Sequence, residues 1–144
     1  MKGISHVAVG VSDMERALPF YRDLLGLEVK LDAEERVGGG RRRAVYMQWT
    51  RGAGAGFLVL SQTLDRESSG KPLRLDQVGL HHFAFAVDNL HERVKKLEDA
   101  GVKIIVRPYE ADAIAYGERS GKKILTCLFE DPDGTILQFD QALS

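Results

Sequence analysis

The sequence predicts an α+β fold: two tandem βαβββ units forming a curved, cup-shaped mixed sheet with the helices on its outer face. Three observations predict it. A strand–helix pattern occurs twice, and each copy opens its first strand on a histidine: Ser5-His6-Val7-Ala8-Val9-Gly10-Val11, then His81-His82-Phe83-Ala84-Phe85-Ala86-Val87. Each helix is stopped by a glycine, Gly26 or Gly101, and is followed by three strand-like segments. Between the copies runs a polar stretch from Gln62 to Val78 containing Ser68-Ser69-Gly70-Lys71-Pro72, which reads as a linker. One domain over residues 1–144 is therefore expected, made of repeats at about 1–61 and about 79–144.

In the first strand Val7, Val9 and Val11 form a bulky apolar face, while His6, Ala8 and Gly10 share the other. The first helix places Met14, Ala17, Leu18, Tyr21, Leu24 and Leu25 at spacings of three and four, one buried stripe. Ser12 and Glu15 fit a capping box at its start. Leu27 to Leu31, Ala44 to Thr50 and Phe57 to Ser61 then read as strands, separated by Gly38-Gly39-Gly40 and Gly52-Ala53-Gly54-Ala55-Gly56. Neither glycine stretch is followed by Lys-Ser or Lys-Thr and a helix, so hairpins are expected rather than phosphate loops.

The second copy alternates Phe83, Phe85 and Val87 against His82, Ala84 and Ala86. Its helix carries Leu90, Val94, Leu97 and Ala100 on one stripe, with Asp88 as expected N-cap. Lys103 to Val106, Ile124 to Glu130 and Thr135 to Asp140 follow as strands, the last two joined by the turn Asp131-Pro132-Asp133-Gly134.

Composition narrows the function classes. At 144 residues, 44% hydrophobic and 28% charged, the chain is long enough to bury a real core. A formal net charge of -1 argues against a nucleic-acid or membrane-surface partner, and Arg41-Arg42-Arg43 reads as a solvated loop or edge-strand face rather than an anion site. Cys127 is the only cysteine, so no internal disulfide forms, and its apolar neighbours suggest simple burial. With no signal core and no bilayer-length apolar span, a soluble cytoplasmic protein is expected.

The bulky faces should pack on the helices, which leaves both histidines on the opposite face among small residues, where a ligand has room. Leu137 and Phe139 take the core side of the last strand, putting Ile136, Gln138 and Asp140 with His82; Leu58 and Leu60 likewise put Phe57, Val59 and Ser61 with His6. The candidate cluster is His6, His82 and Gln138, with Val59 where a fourth group would come. Two neutral imidazoles suit iron, manganese, zinc, nickel or cobalt. Gln138 offers a carbonyl oxygen but no negative charge and no proton acceptor at neutral pH.

The duplicated unit, with His6-Val7-Ala8-Val9, Phe20-Tyr21-Arg22-Asp23-Leu24-Leu25-Gly26-Leu27, His82-Phe83-Ala84-Phe85-Ala86-Val87 and Phe129-Glu130-Asp131-Pro132-Asp133-Gly134, resembles the vicinal oxygen chelate superfamily. That group includes glyoxalase I, methylmalonyl-CoA epimerase, extradiol dioxygenases, fosfomycin-resistance enzymes and bleomycin-binding proteins. The resemblance spans nearly the whole chain, and it specifies the fold better than the reaction. It implies metal ligands at the start of the first strand of each unit, matching His6 and His82, and in the last strands, matching Val59 and Gln138. Valine cannot ligate, which speaks against glyoxalase I itself and for the three-ligand arrangement of the dioxygenase and fosfomycin-resistance members, with Gln138 in place of their glutamate.

Three readings follow. The first is a metalloenzyme whose divalent ion, held by His6, His82 and Gln138, binds neighbouring oxygens of a small organic substrate. The second is a metal-free, drug-sequestering protein whose cup is lined by Tyr46, Gln48, Val59 and Gln138. The third is a metal-free enzyme using a histidine, Glu130 or Asp140 as acid or base. Loops Asp32 to Gly40 and Glu110 to Lys122, with Tyr109, Tyr116 and Arg119, stand as candidates for the mouth of the site, Tyr116 as a substrate contact. The resemblance also implies a homodimer.

Overall fold

The computed structural model describes residues 1–50, 55–112, 114, 117 and 121–143. The chain divides into two compact units, Met1–Gly70 and Lys71–Ser144, the break falling inside the polar stretch. Each unit is a four-stranded mixed sheet with one helical segment, as the repeat predicts.

The first unit contains β1 (His6–Gly10), a helical segment, β2 (Glu28–Val37), β3 (Gly40–Gln48) and β4 (Phe57–Thr63) in the sheet order β1-β4-β3-β2. β1 runs parallel to β4, whereas β3 is antiparallel to both of its neighbours. Three of these strands, β2, β3 and β4, exceed their expected lengths. Asp32 to Gly40 is not a free loop: β2 and β3 continue through it and turn at Gly38 and Gly39, both at positive φ, where an L side chain would be strained. β4 likewise runs on through Gln62 and Thr63, residues expected in the linker.

The helical segment starts as α1 (Met14–Leu18) and continues from Pro19 to Leu24 as a π-helix, in which the Leu25 N–H donates to the Phe20 carbonyl. The span from His6 to Gly26 is one residue longer than that from His82 to Gly101. A π turn takes up one extra residue without moving the ends of the segment, which is the physical reason for this stretch. Met14, Ala17, Leu18, Tyr21 and Leu25 are buried, as the stripe predicts, and Phe20 joins them, whereas Leu24, expected in the stripe, is only half-buried.

The second unit repeats the plan with β5 (His82–Ala86), α2 (Leu90–Asp99), β6 (Ile104–Asp112), β7 (Lys123–Glu130) and β8 (Ile136–Leu143), in the order β5-β8-β7-β6. Leu90, Val94 and Leu97 are buried; Ala100 is exposed because it is already the C-cap of α2. Gly26 and Gly101 both close their helices at positive φ. The Asp131-to-Gly134 turn is fixed by the buried Asp131 carboxylate, which accepts from the Asp133 and Thr135 N–H groups.

Both expected N-caps are corrected. The first is Asp13, whose side chain accepts from the Glu15 N–H, rather than Ser12 with Glu15. The second is Asn89 rather than Asp88, and its side chain makes no capping bond. Each helix is instead tied down from a strand: the Gln62 side-chain carbonyl accepts from the Met14 N–H at 2.7 Å, and that of Gln141 accepts from the Leu90 N–H at 2.8 Å. The two glutamines hold equivalent places, since Phe57 pairs with His6 and Ile136 with His82, and each lies five residues further along its strand.

Candidate functional site

These glutamines fix which face of each sheet carries the helix. Leu58, Leu60 and Gln62 share one side of β4, and Leu137, Phe139 and Gln141 share one side of β8, because side chains alternate along a strand. Gln62 reaches α1 and Gln141 reaches α2, so those sides face the helices. In the parallel register His6, Ala8 and Gly10 pair with Phe57, Val59 and Ser61, and His82, Ala84 and Ala86 pair with Ile136, Gln138 and Asp140. Both histidines therefore stand on the face away from the helices.

In the first unit the register extends that face. β3 sets Tyr46 opposite Val59 and Ala44 opposite Ser61, and β2 sets Leu31 opposite Tyr46 and Glu35 opposite Arg42. Tyr46 and, two residues on, Gln48 thus share the face of His6, an orientation the sequence leaves open. The His6 ring stacks on Phe57 with centroids 5.1 Å apart, and Tyr46 lies tilted against Phe57 at 6.0 Å. The Tyr46 hydroxyl donates to Glu35 at 2.6 Å, and Arg42 donates to the same carboxylate at 2.9 Å and to Ser61 Oγ at 3.4 Å. Those bonds, first from Tyr46 and then from Arg42, hold the Glu35 carboxyl below its usual range, while the Glu35 partner raises the Tyr46 phenol. Val59 is buried.

The second unit is built differently at the same register positions. Gln138 Nε2 donates to Asp140 Oδ1 at 2.8 Å, and the buried Thr126 hydroxyl, opposite Asp140 on β7, donates to that oxygen at 2.7 Å. Glu130 stands opposite Ile136 but is drawn into other work. Burial alone would raise its carboxyl; hydrogen bonds from Arg74 and Lys103 outweigh burial and hold it low. Glu130 is thereby an ion-pair partner at the DPDG turn, where Arg74 also donates to the Gly134 carbonyl.

The residue before each histidine holds its ring. Ser5 Oγ lies 2.9 Å from His6 Nδ1, and His81 Nδ1 lies 2.7 Å from His82 Nδ1, with the two imidazoles stacked at 4.7 Å. With the proton on Nδ1 of His6 and of His82, both bonds are satisfied and each Nε2 carries its lone pair outward, the tautomer a metal ligand needs. Burial, and then the charge of His81, lowers the His82 pKa, so its ring stays neutral further into the acid range than an ordinary histidine.

Of the other expected contacts, Tyr116 and Arg119 lie outside the described residues. Tyr109 pairs with Thr126 on β6 and is exposed. The arginine run is engaged in ion pairs, Arg41 with Glu34, Arg42 with Glu35, and Arg43 with Asp32 and Glu15; it lies on the inner strand β3 rather than on a loop or an edge strand. Cys127 is buried and its thiol is pushed up to about 11 by burial. Among the described residues no group of three His, Cys, Asp or Glu side chains stands together. Nor is any described helix long and apolar enough to cross a membrane.

A family model for the Glyoxalase/Bleomycin resistance protein/Dioxygenase superfamily matches residues 3–139. The chain belongs to that superfamily. It is 25% identical to the mitochondrial methylmalonyl-CoA epimerase of Bos taurus over 149 residues, covering 96% of this chain and 74% of that protein. Among solved structures, a glyoxalase family protein from Bacillus cereus superposes with a TM-score of 0.78 at 15% identity, over 98% of this chain and 94% of that one. Leishmania major glyoxalase I superposes with a TM-score of 0.67 at 20% identity, over 95% and 84%. These structural likenesses establish the glyoxalase fold, and the superfamily's own name spans both enzymes and a drug-resistance protein.

The superfamily's association with divalent metals can be tested against the donor chemistry present. Two imidazoles with Nδ1 occupied and one amide with its nitrogen committed to Asp140 supply two nitrogen donors and one carbonyl oxygen. Each is a donor type that a borderline divalent ion accepts, and none of the three carries a negative charge. Ser5, His81, Thr126 and Asp140 are the residues sequence reasoning passes over as supports. A signal for them existed: two directly precede the histidines, and Asp140 lies two residues from Gln138 on the same strand face.

Proposed function

We propose that this chain is a small-molecule metalloenzyme of the three-ligand kind, dioxygenase-like or fosfomycin-resistance-like, in which His6 from the first unit and His82 and Gln138 from the second hold a divalent ion. The units supplying these groups belong either to one chain or to two chains of a homodimer, which is the assembly proposed here, in the cytoplasm. The observation that carries the reading is the equivalence of His6 and His82: both open the first strand of their unit on the helix-free face, and both have Nδ1 engaged by the preceding residue. Bound there, the ion supplies Lewis acidity to neighbouring oxygens of an organic substrate or activates oxygen.

The chain's own residues set the remaining chemistry. Phe57, Tyr46 and Val59 give the first unit an aromatic and apolar wall for the substrate body, and Gln48 adds an amide beside it. Gln138 cannot exchange a proton at neutral pH, so glyoxalase I chemistry through that position is not expected.

The same wall favours a second reading, a metal-free protein that sequesters an organic ligand. Metal analysis of protein purified without chelator separates the two. The first reading expects a near-stoichiometric divalent ion, or a rise in melting temperature on adding manganese, iron, cobalt, nickel or zinc, lost in His6→Ala and His82→Ala. Absence of both signals in the wild type overturns it.

A further inference from the structure

Arg42, Ser61, Glu35 and Tyr46 form a polar cluster on the helix-free face of the first unit, at the end of β1 and β4 away from His6. We propose that Arg42 and Ser61 are a subsite for a neutral carbonyl oxygen, that of an amide or ester, in a substrate whose body lies over Val59 towards His6. The inference rests on the small-molecule reading above for its ligand, and it holds with or without a metal.

The cluster is ordered from the edge strand inwards. Glu35 accepts from Arg42 Nη2 at 2.9 Å and from Nε at 3.3 Å, which fixes the guanidinium, and the Tyr46 hydroxyl holds the other carboxylate oxygen at 2.6 Å. The guanidinium so held turns Nη1 towards Ser61 Oγ at 3.4 Å, a long bond for an N–H on oxygen. Ser61 accepts in that bond, so its own O–H is left to donate, and no acceptor among the described residues takes that proton. Two donors, Nη1 and the Ser61 hydroxyl, thus stand side by side, and one oxygen with two lone pairs suits both.

The same face has room for that oxygen. Ser61 pairs with Gly10 on β1 and with Ala44 on β3, so its hydroxyl stands between a residue with no side chain and one with a single methyl group. A Cβ at Gly10 would meet nothing within 4 Å, and Gly10 is not among the glycines at positive φ. Neither packing nor backbone within the unit calls for glycine there, and its effect is open space beside Ser61. Val59 lies two residues back along β4, about 7 Å away, and Gly10 lies four residues from His6, about 13 Å. Between these ends Tyr46 and Phe57 supply the aromatic wall.

Charge selects among carbonyl, carboxylate and amine. The Arg42 charge is already matched by Glu35, so a ligand carboxylate would share one guanidinium with a like charge. An ammonium group would meet two donors, while the Glu35 oxygens are taken by Tyr46 and Arg42. A neutral carbonyl satisfies both donors and brings no charge.

The test uses the metal-free full chain and a series of one shape, 4-phenylbutanamide, 4-phenylbutanoate and 4-phenylbutylamine, titrated by nuclear magnetic resonance. The amide should bind most tightly and shift the Gly10 and Ser61 backbone signals and the Arg42 Nε–H signal. Ser61→Ala should bind it about 2–12-fold more weakly, the equivalent of one net hydrogen bond. Gly10→Val should melt no lower than wild type, since the added side chain meets neither strain nor a neighbour, and should lose amide binding. The proposal is overturned if the wild type binds none of the series, if the carboxylate or the amine binds more tightly than the amide, or if either variant binds the amide as wild type does. Metal analysis decides the metalloenzyme reading separately: a chain that holds metal without preferring the amide fails here alone, and one that prefers the amide without ever holding metal fails there alone.

Discussion

Replacing Gln62 or Gln141 by alanine removes the side-chain acceptor of the first N–H group of α1 or α2. The Met14 and Leu90 residues that donate to them are both 0% exposed, so water does not readily take the acceptor's place. A net hydrogen bond contributes about 1 kcal/mol, and a buried N–H left without a partner costs about 1–3 kcal/mol. Each alanine variant should therefore lose about 1–3 kcal/mol. At roughly 2–4 °C per kcal/mol for a chain near this length, that is a fall in Tm of roughly 2–12 °C, measured by calorimetry or circular dichroism. Gln62→Glu should recover most of the loss, since it keeps an acceptor oxygen and adds negative charge at the positive end of a helix. If both alanine variants melt within 1 °C of wild type, the strand-to-helix bonds are not holding the helices, and the assignment of the helix faces loses its support.

Two further predictions follow from protonation. The folded-state pKa of His82 is lowered from 6.5, so its neutral form stabilises the fold above the unfolded value, and that stability is lost as pH falls through the folded pKa. Metal-free wild type should thus lose Tm relative to His82→Gln between pH 7.5 and 5; equal losses in the two proteins would contradict the burial argument. Cys127, buried and with its thiol pushed up to about 11, should resist iodoacetamide at pH 8 in the native state and react fully in denaturant, as mass spectrometry reads. Alkylation of the native protein at the rate of a free thiol would contradict it.

How much of this was legible in the sequence depends on the range of the interaction. Alternation in β1, β5 and β8 is a local signal, and it correctly sent His6, His82 and Gln138 to the face opposite Val9, Phe139 and the helices. Gly26 and Gly101 likewise announced the helix ends through a backbone conformation only glycine adopts cheaply. The caps differ from the local expectation for the opposite reason. Gln62 and Met14 are 48 residues apart, Gln141 and Leu90 are 51 apart, and a local capping rule has no access to such partners. The face of Tyr46 was open until strand register set it opposite Val59. Asp32 to Gly40 read as a loop because its charges hide strand character, although those charges turn out to pair across the hairpin.

That hairpin has a colloidal consequence. β2 is the outer strand of its sheet, and exposed along it are Val29, Leu31 and Val37, the makings of an adhesive edge. Glu34, Glu35 and Asp32 tie to Arg41, Arg42 and Arg43 along the same stretch, so any second chain adding a strand there would have to displace or bury a row of paired charges. The arginine run, which at first sight advertises a taste for polyanions, guards the sheet against its own kind.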